Sequence, residues 1–181
     1  MPPTLAPLPA WEEDLPAECP PNGAPVRLDA VVDGAPVILL FVPCQGPDRT
    51  AGPLIYADGR LVGTGRVEHA VVAQAGAGSL TGAQGEYWVA WTSGDGVESW
   101  LVVYRIVDGA SVGIWNSVKE SLPRWVLATY RYQTLGGPRG SIEILSSDPD
   151  HRRCRTCPGQ RYREVYEWVG QGMVRTYRQP A

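Results

Sequence analysis

The chain has 181 residues, 44% hydrophobic and 19% charged, with a formal net charge of −3 at pH 7. That is enough for one domain with a real core, too little for two ordinary ones, and too apolar for an intrinsically disordered protein. The longest apolar run, residues 36–43, is strand-sized, so no segment reaches the length of a membrane-crossing helix.

Residues 1–25 form a Pro-rich, acidic lead without periodicity, ending near Cys19-Pro20-Pro21-Asn22-Gly23. Its first ten residues lack the basic start and continuous apolar core of a signal peptide. Either the protein is cytosolic or a removed leader precedes it. Pro2, Pro3, Pro7 and Pro9 read as an extended tether and fit the second option.

From residue 26 to 181 strand signals dominate, and this stretch reads as a single antiparallel β domain. Residues 26–32 and 37–42 are apolar and β-branched around Asp33-Gly34, a strong hairpin signal. Residues 54–57 and 60–63 repeat the arrangement around Asp58-Gly59. Residues 67–75 read as one further strand, followed by a small-residue loop over 76–85.

Residues 87–92 and 97–107 predict a long antiparallel pair across Ser93-Gly94-Asp95-Gly96. In the second strand Trp100, Val102, Tyr104 and Ile106 share one face, and Leu101, Val103 and Val107 the other. Apolar residues on both faces indicate a strand covered on both sides. Asp108-Gly109 ends it, and 116–121 reads as one short helical turn before Pro123. Residues 125–133 and 141–146 predict another pair, and 162–169 with 173–178 a last one around Gly170-Gln171-Gly172. About ten or eleven short strands with frequent turns imply an all-β sandwich, meander or barrel.

Four cysteines, Cys19, Cys44, Cys154 and Cys157, make an even count in a β-rich chain. They suggest two disulfides and an oxidising compartment, with Cys19 to Cys44 and Cys154 to Cys157 as one of three possible connectivities. The competing reading takes His151, Cys154 and Cys157 as three zinc ligands, which need a fourth from Cys19, Cys44 or His69. A redox Cys-x-x-Cys wants a strand-to-helix setting that this pattern does not provide.

Conventional catalysis finds little footing, and no cofactor is expected outside the zinc alternative. His69 sits inside an apolar strand pattern, no nucleophile elbow or phosphate loop is present, and Glu86 with Glu98 is only a nominal carboxylate pair for a hydrolase. Trp88, Trp91, Trp100 and Tyr104 are the candidate binding residues, since Trp and Tyr combine apolar bulk with a polar handle and suit pocket rims.

Residues 151–181 hold seven Arg and two Glu, a balance of +5, whereas 1–150 hold nine basic against seventeen acidic side chains, −8. A basic ending that interleaves Arg161, Tyr162, Arg163, Tyr166, Trp168, Arg175, Tyr177 and Arg178 superficially suits a single-stranded nucleic acid. Period two separates Tyr162, Tyr166 and Trp168 from Arg161 and Arg163, which favours aromatics packed inward and a basic hairpin lying on an acidic body. Arg175 and Tyr177 are expected on one face.

Cys154-Arg-Thr-Cys157-Pro158, then Tyr162 and Tyr166-Glu167-Trp168-Val169-Gly170, then Met173-Val174 resembles the ending of small exported or lipoprotein-type bacterial β domains. The resemblance covers residues 154–177, implies a place outside the cytoplasm and a non-catalytic or uncharacterised role, and carries over no functional residue. The reading at this level is a disulfide-stabilised extracytoplasmic β domain binding an unidentified protein or small-molecule ligand. A cytosolic zinc-assisted nucleic-acid binder and a carboxylate hydrolase are the alternatives.

Overall fold

Three Asp-Gly pairs set the pattern of the chain. Asp33, Asp58 and Asp108 have φ of 48°, 48° and 50°, and the glycines after them 78°, 74° and 75°. Positive φ at both central residues is the turn whose twist matches a two-residue β-hairpin. The computed structural model describes residues 7–94, 96–122, 124–134, 139–149 and 157–181.

Within them the fold is all-β. β1 (Val26–Val32), β2 (Ala35–Pro43), β3 (Thr50–Ala57) and β4 (Arg60–Thr64) form one antiparallel sheet in chain order, and β5 (Val67–Glu68) also pairs with β3. The second sheet runs β13-β12-β11-β10-β8-β7-β6, with β9 paired to β8. Its strands are β6 (Val71–Ala77), β7 (Glu86–Thr92), β8 (Glu98–Val107), β9 (Ala110–Asn116), β10 (Trp125–Thr134), β11 (Gly140–Pro149), β12 (Pro158–Val169) and β13 (Gly172–Pro180). The one helical element among the described residues is a 3-10 turn, Glu12–Asp14.

The two faces of β7 and β8 serve two cores, as a strand apolar on both sides requires. Tyr87, Val89, Trp91, Val102 and Ile106 pack with Leu39, Phe41 and Ile55 between the sheets. Trp88, Ala90, Leu101 and Val103 face the other way and join Trp125, Tyr130, Ile142, Ile144 and Tyr166. The larger sheet therefore curls over itself. Its edge β6 meets β10 through the side chain of Gln74, whose Nε2 donates to the Tyr130 carbonyl (2.6 Å) and whose Oε1 accepts from the Tyr130 amide (3.1 Å).

The lead lies against the smaller sheet. Trp11 and Leu15 cover Leu40, Val42, Leu54 and Tyr56 on its outer face. Tyr56 donates to Asp14 at 2.6 Å, and the Cys19–Cys44 disulfide pins the end of the lead beside β2.

Four details differ from the sequence expectations. Residues 67–75 are not one strand: β5 belongs to the first sheet and β6 to the second, with the change made at His69 and Ala70, where Thr50 Oγ1 donates to the Ala70 carbonyl (2.7 Å). His69 is thus an exposed bend residue rather than a strand histidine. Asp108-Gly109 does not end a β-run but turns it into β9. The stretch 147–160 is partly strand, because β11 reaches Pro149 and β12 begins at Pro158.

Candidate functional site

A groove of about 750 Å3 opens between the link from β4 to β5 and strand β9. That volume is within the usual range of ligand sites, roughly 300–1,000 Å3. One wall is Thr64, Gly65, Arg66 and Glu68, with Gly52 and Pro53 behind; the other is Ser111, Gly113, Ile114 and Asn116, then Lys119 and Glu120, over a floor containing Val102 and Tyr104.

Backbone contacts hold the first wall rigidly. The Gly65 amide donates to the Pro53 carbonyl (2.7 Å) and the Gly52 amide to the Arg66 carbonyl (3.3 Å). A Cβ on Gly65 would lie 2.3 Å from the Gly52 carbonyl oxygen, so only glycine lets the chain cross there. Beyond it Arg66 and Glu68 are two residues apart in extended chain and turn to the groove, while Val67 between them packs by the disulfide.

The second wall begins at the turn after β8. Ser111 is hydrogen-bonded to the Tyr87 hydroxyl. A bulge at Ile114, between the pairs Tyr104↔Gly113 and Val103↔Trp115, sends Trp115 to the far core while Gly113 and Asn116 stay over the groove. Asn116 Oδ1 accepts from the Val118 amide (2.9 Å), and Ser117 Oγ accepts from the Leu101 amide (3.1 Å). These bonds fix the turn that carries Lys119, the one lysine of the chain, and Glu120.

Tyr104 is the aromatic floor. Its ring stacks on Tyr87 with centroids 5.1 Å apart and planes 12° apart, and its hydroxyl accepts from Trp91 Nε1 at 3.2 Å. Burial pushes the phenol up to about 12, helped by the Glu68 charge and opposed by the Trp91 bond and Arg66. At neutral pH it is a neutral hydrogen-bonding group. Arg66, Glu68, Lys119 and Glu120 form no ion pair with one another or with any other described residue. The groove is therefore polar, charged in both senses and close to neutral in sum.

Of the four expected binding aromatics, only Tyr104 reaches this groove. Trp88 and Trp91 differ by three along a strand and so point to opposite cores, and both are buried. Trp100 is half-buried under the Arg124 guanidinium, 4.9 Å from its ring. Sequence reasoning missed Arg66, Glu68, Ser111, Asn116, Lys119 and Glu120. The available signal was Lys119 itself, an isolated amine among arginines.

The remaining candidates resolve as follows. Cys19 and Cys44 are paired; Cys157 is disulfide-bonded, while His151 and Cys154 lie outside the described residues. Glu86 and Glu98 are not brought together, because they sit at opposite ends of the β7–β8 pair. The Glu86 carboxylate instead accepts from the amides of Leu80 (2.7 Å) and Thr81 (2.9 Å), the Thr81 hydroxyl, and Arg105 Nη2 (2.5 Å).

Three arginines of the basic ending, Arg163, Arg175 and Arg178, are paired with carboxylates, whereas Arg161 is exposed without an ion pair and Arg152, Arg153 and Arg155 lie outside the described residues. Buried Glu164 accepts from Trp125 Nε1 (3.0 Å) and Arg175 Nη1 (2.7 Å), with Arg178 Nε at 3.5 Å. Arg178 also reaches Asp148 and lies 3.9 Å over the Tyr162 ring, and Arg163 pairs with Glu143. Arg175 and Tyr177 do not share a face. Tyr166 pairs with Arg175 and Val165 with Tyr177, so a bulge at Thr176 reverses the alternation.

Among the described residues no helix is long and apolar enough to cross a membrane, and no group of three or more His, Cys, Asp or Glu is placed to hold a metal ion. Comparison with family models, curated proteins and solved structures returns no match to this chain.

Proposed function

We propose that this chain is a disulfide-braced, extracytoplasmic β-sandwich that holds a polar ligand in the groove between residues 64–68 and β9, without turning it over. The observation that carries the reading is the groove's set of four charges without ionic partners. Elsewhere Arg27, Arg105, Arg124, Arg163, Arg175 and Arg178 are paired with carboxylates, and the exposed Arg60, Arg131 and Arg161 that are not stand singly rather than together in a concave surface. Charged heads left at a concave, backbone-rich surface are available to a ligand. The titratable groups there suit binding: two carboxylates, two cations, and a phenol held neutral by burial.

The compartment rests on sulfur chemistry. Cys19–Cys44 spans 25 residues, and the described residues contain no free cysteine. Disulfides persist in oxidising surroundings, and the resemblance of residues 154–177 to exported β domains points the same way.

Gly113 supplies the test. A Cβ there would meet the Tyr104 ring at 3.8 Å and Val102 Cγ1 at 4.0 Å, ordinary contacts, so Gly113→Leu is the variant chosen to fill the groove, with urea unfolding as the check that it keeps the fold. Amino acids, short peptides and oligosaccharides are screened by thermal shift against both proteins. A ligand at about 100 times its Kd stabilises by roughly 2.7 kcal/mol, a rise of about 5–10 °C for this size of domain. The reading predicts compounds that raise Tm for the native chain and not for Gly113→Leu; if both shift equally, or neither shifts, it fails.

A further inference from the structure

One long side of the groove is a strand edge, that of β9, and the other is the link that leaves β4. Among the described residues β9 pairs with β8 alone, so its outer row of amides and carbonyls has no strand partner there. The groove is lined by Gly113, Ile114, Trp115 and Asn116 in succession. Side chains of a strand alternate between its faces. A consecutive run, even with a bulge at Ile114, lines a space where the strand is met edge-on. The facing wall, Thr64, Gly65 and Arg66, is also consecutive, and among the described residues β4 pairs only with β3.

The two sides converge at one end, where a Cβ on Gly63 would lie 1.7 Å from the Gly109 carbonyl oxygen. They part toward Lys119 and Glu120. The groove is thus bounded by the edge of β9 in one sheet and by the link leaving β4 in the other.

The geometry points to an extended polypeptide segment of a partner protein as the occupant, adding as a strand to the free edge of β9. This rests on the groove being the binding site. Main-chain hydrogen bonds to β9 supply affinity, and alternate side chains address the walls. Arg66 and Glu68, spaced i and i+2 on one wall, match a peptide bearing one acidic and one basic residue at the same spacing. Lys119 and Glu120 offer the same pair of signs opposite. An oligosaccharide would use Tyr104 and the polar side chains but has no need of an unpaired edge.

The long edge of β13 is a poorer template. It carries Arg175 and Arg178, a bulge at Thr176 and a terminal Pro180, the devices that keep an edge from pairing.

The experiment pans random linear peptides of about eight residues, enough to span the seven of β9, on the full chain, with Gly113→Leu as counter-selection. The most enriched sequence is then synthesised with a plain backbone and with every second residue N-methylated, in both phases. Strand addition predicts that one phase binds at least ~10-fold more weakly, since two or more main-chain hydrogen bonds are lost. It also predicts slowed amide exchange over residues 110–116 on binding. Exchanging the charges by Arg66→Glu with Glu68→Arg reverses the order of acidic and basic residues selected.

Equal binding by the plain peptide and both methylated forms overturns strand addition, as does unchanged exchange over 110–116. Absence of any enriched peptide overturns it too. If an oligosaccharide then stabilises the native chain and not Gly113→Leu, the groove remains a binding site for a different class of ligand. If no compound of any class separates the two proteins, the site itself is wrong.

Discussion

Replacing Glu86 tests whether this fold depends on a buried charge. Its side chain is fully buried at the start of β7, and Arg105, which faces it across the β7–β8 pair, is 33% exposed. Glu86→Ala strands the amides of Leu80 and Thr81, which close the loop between β6 and β7, and leaves Arg105 without its counter-ion. An orphaned buried donor costs about 1–3 kcal/mol, and breaking a buried ion pair about 3–5 kcal/mol. Because Arg105 can turn to solvent, the low end applies: about 3 kcal/mol, or about 6–12 °C in Tm. Glu86→Gln keeps one acceptor for the amides and loses the charge, for about 2 kcal/mol. The pH dependence is diagnostic. Burial alone would raise the carboxyl pKa, but the bonds from Thr81, Arg105 and the Leu80 amide outweigh it and hold the group below its usual 4.5. The unfolded chain then takes up the proton first on acidification. The stabilisation is present above pH 4.5 and is lost as pH falls through the lower folded value. Urea unfolding at neutral and acid pH should show the gap between native and Glu86→Gln proteins narrowing below that point. A loss under about 1 kcal/mol for Glu86→Ala, or a gap indifferent to pH, refutes the argument.

Three further outcomes follow from the same geometry. Cys19→Ser with Cys44→Ser should cost about 3 kcal/mol in urea unfolding, from the 25-residue separation the bond closes, and intact mass of the native chain after alkylation should show Cys19 and Cys44 unmodified until reductant is added. Gly65→Ala should destabilise by more than about 3 kcal/mol, because the intruding atom meets backbone that cannot turn aside, whereas Gly113→Ala should change unfolding by less than about 0.5 kcal/mol. Tyrosinate absorbance should lag on alkaline titration: burial raises the phenols of Tyr87 and Tyr130, and holds Tyr104 and Tyr166 at about 12. Raised values favour the folded state below pH 10, and that stability is lost as pH climbs through the folded values, so these rings should ionise together with unfolding.

Hairpins marked by a local turn were legible in the sequence, and events that depend on where a strand goes next were not. Asp33-Gly34 and Asp58-Gly59 announced β1–β2 and β3–β4 because two consecutive positive φ angles need those residues. Asp108-Gly109 has the same geometry, yet residues 110–116, Ala-Ser-Val-Gly-Ile-Trp-Asn, alternate weakly, since a glycine and a bulge interrupt the period. Residues 67–75 carry β-favouring residues on both sides of His69, so nothing local reveals that the chain changes sheets there. The bulge at Thr176 is equally silent. One extra residue reverses parity, moves Arg175 onto the face of Glu164 and sends Tyr177 to the other.

The same reasoning explains why Trp88, Trp91 and Trp100 do not line the groove. In a sandwich whose larger sheet curls on itself, central strands are buried on both faces, and large rings are what fill those cores. Trp88 and Trp91 therefore report the middle of the molecule. A binding surface has to lie where packing stops, at strand edges and at links between sheets. Such places are short, glycine-rich and polar: Thr64-Gly65-Arg66 on one side, Gly113 and the Asn116 turn on the other. Each segment alone reads as an ordinary connection. They become a groove only because β5 pairs back with β3 while β9 stops against β8, leaving two sides that touch at Gly63 and Gly109 and then separate. Arg66, Glu68, Lys119 and Glu120 line that separation without ion-pair partners among the described residues.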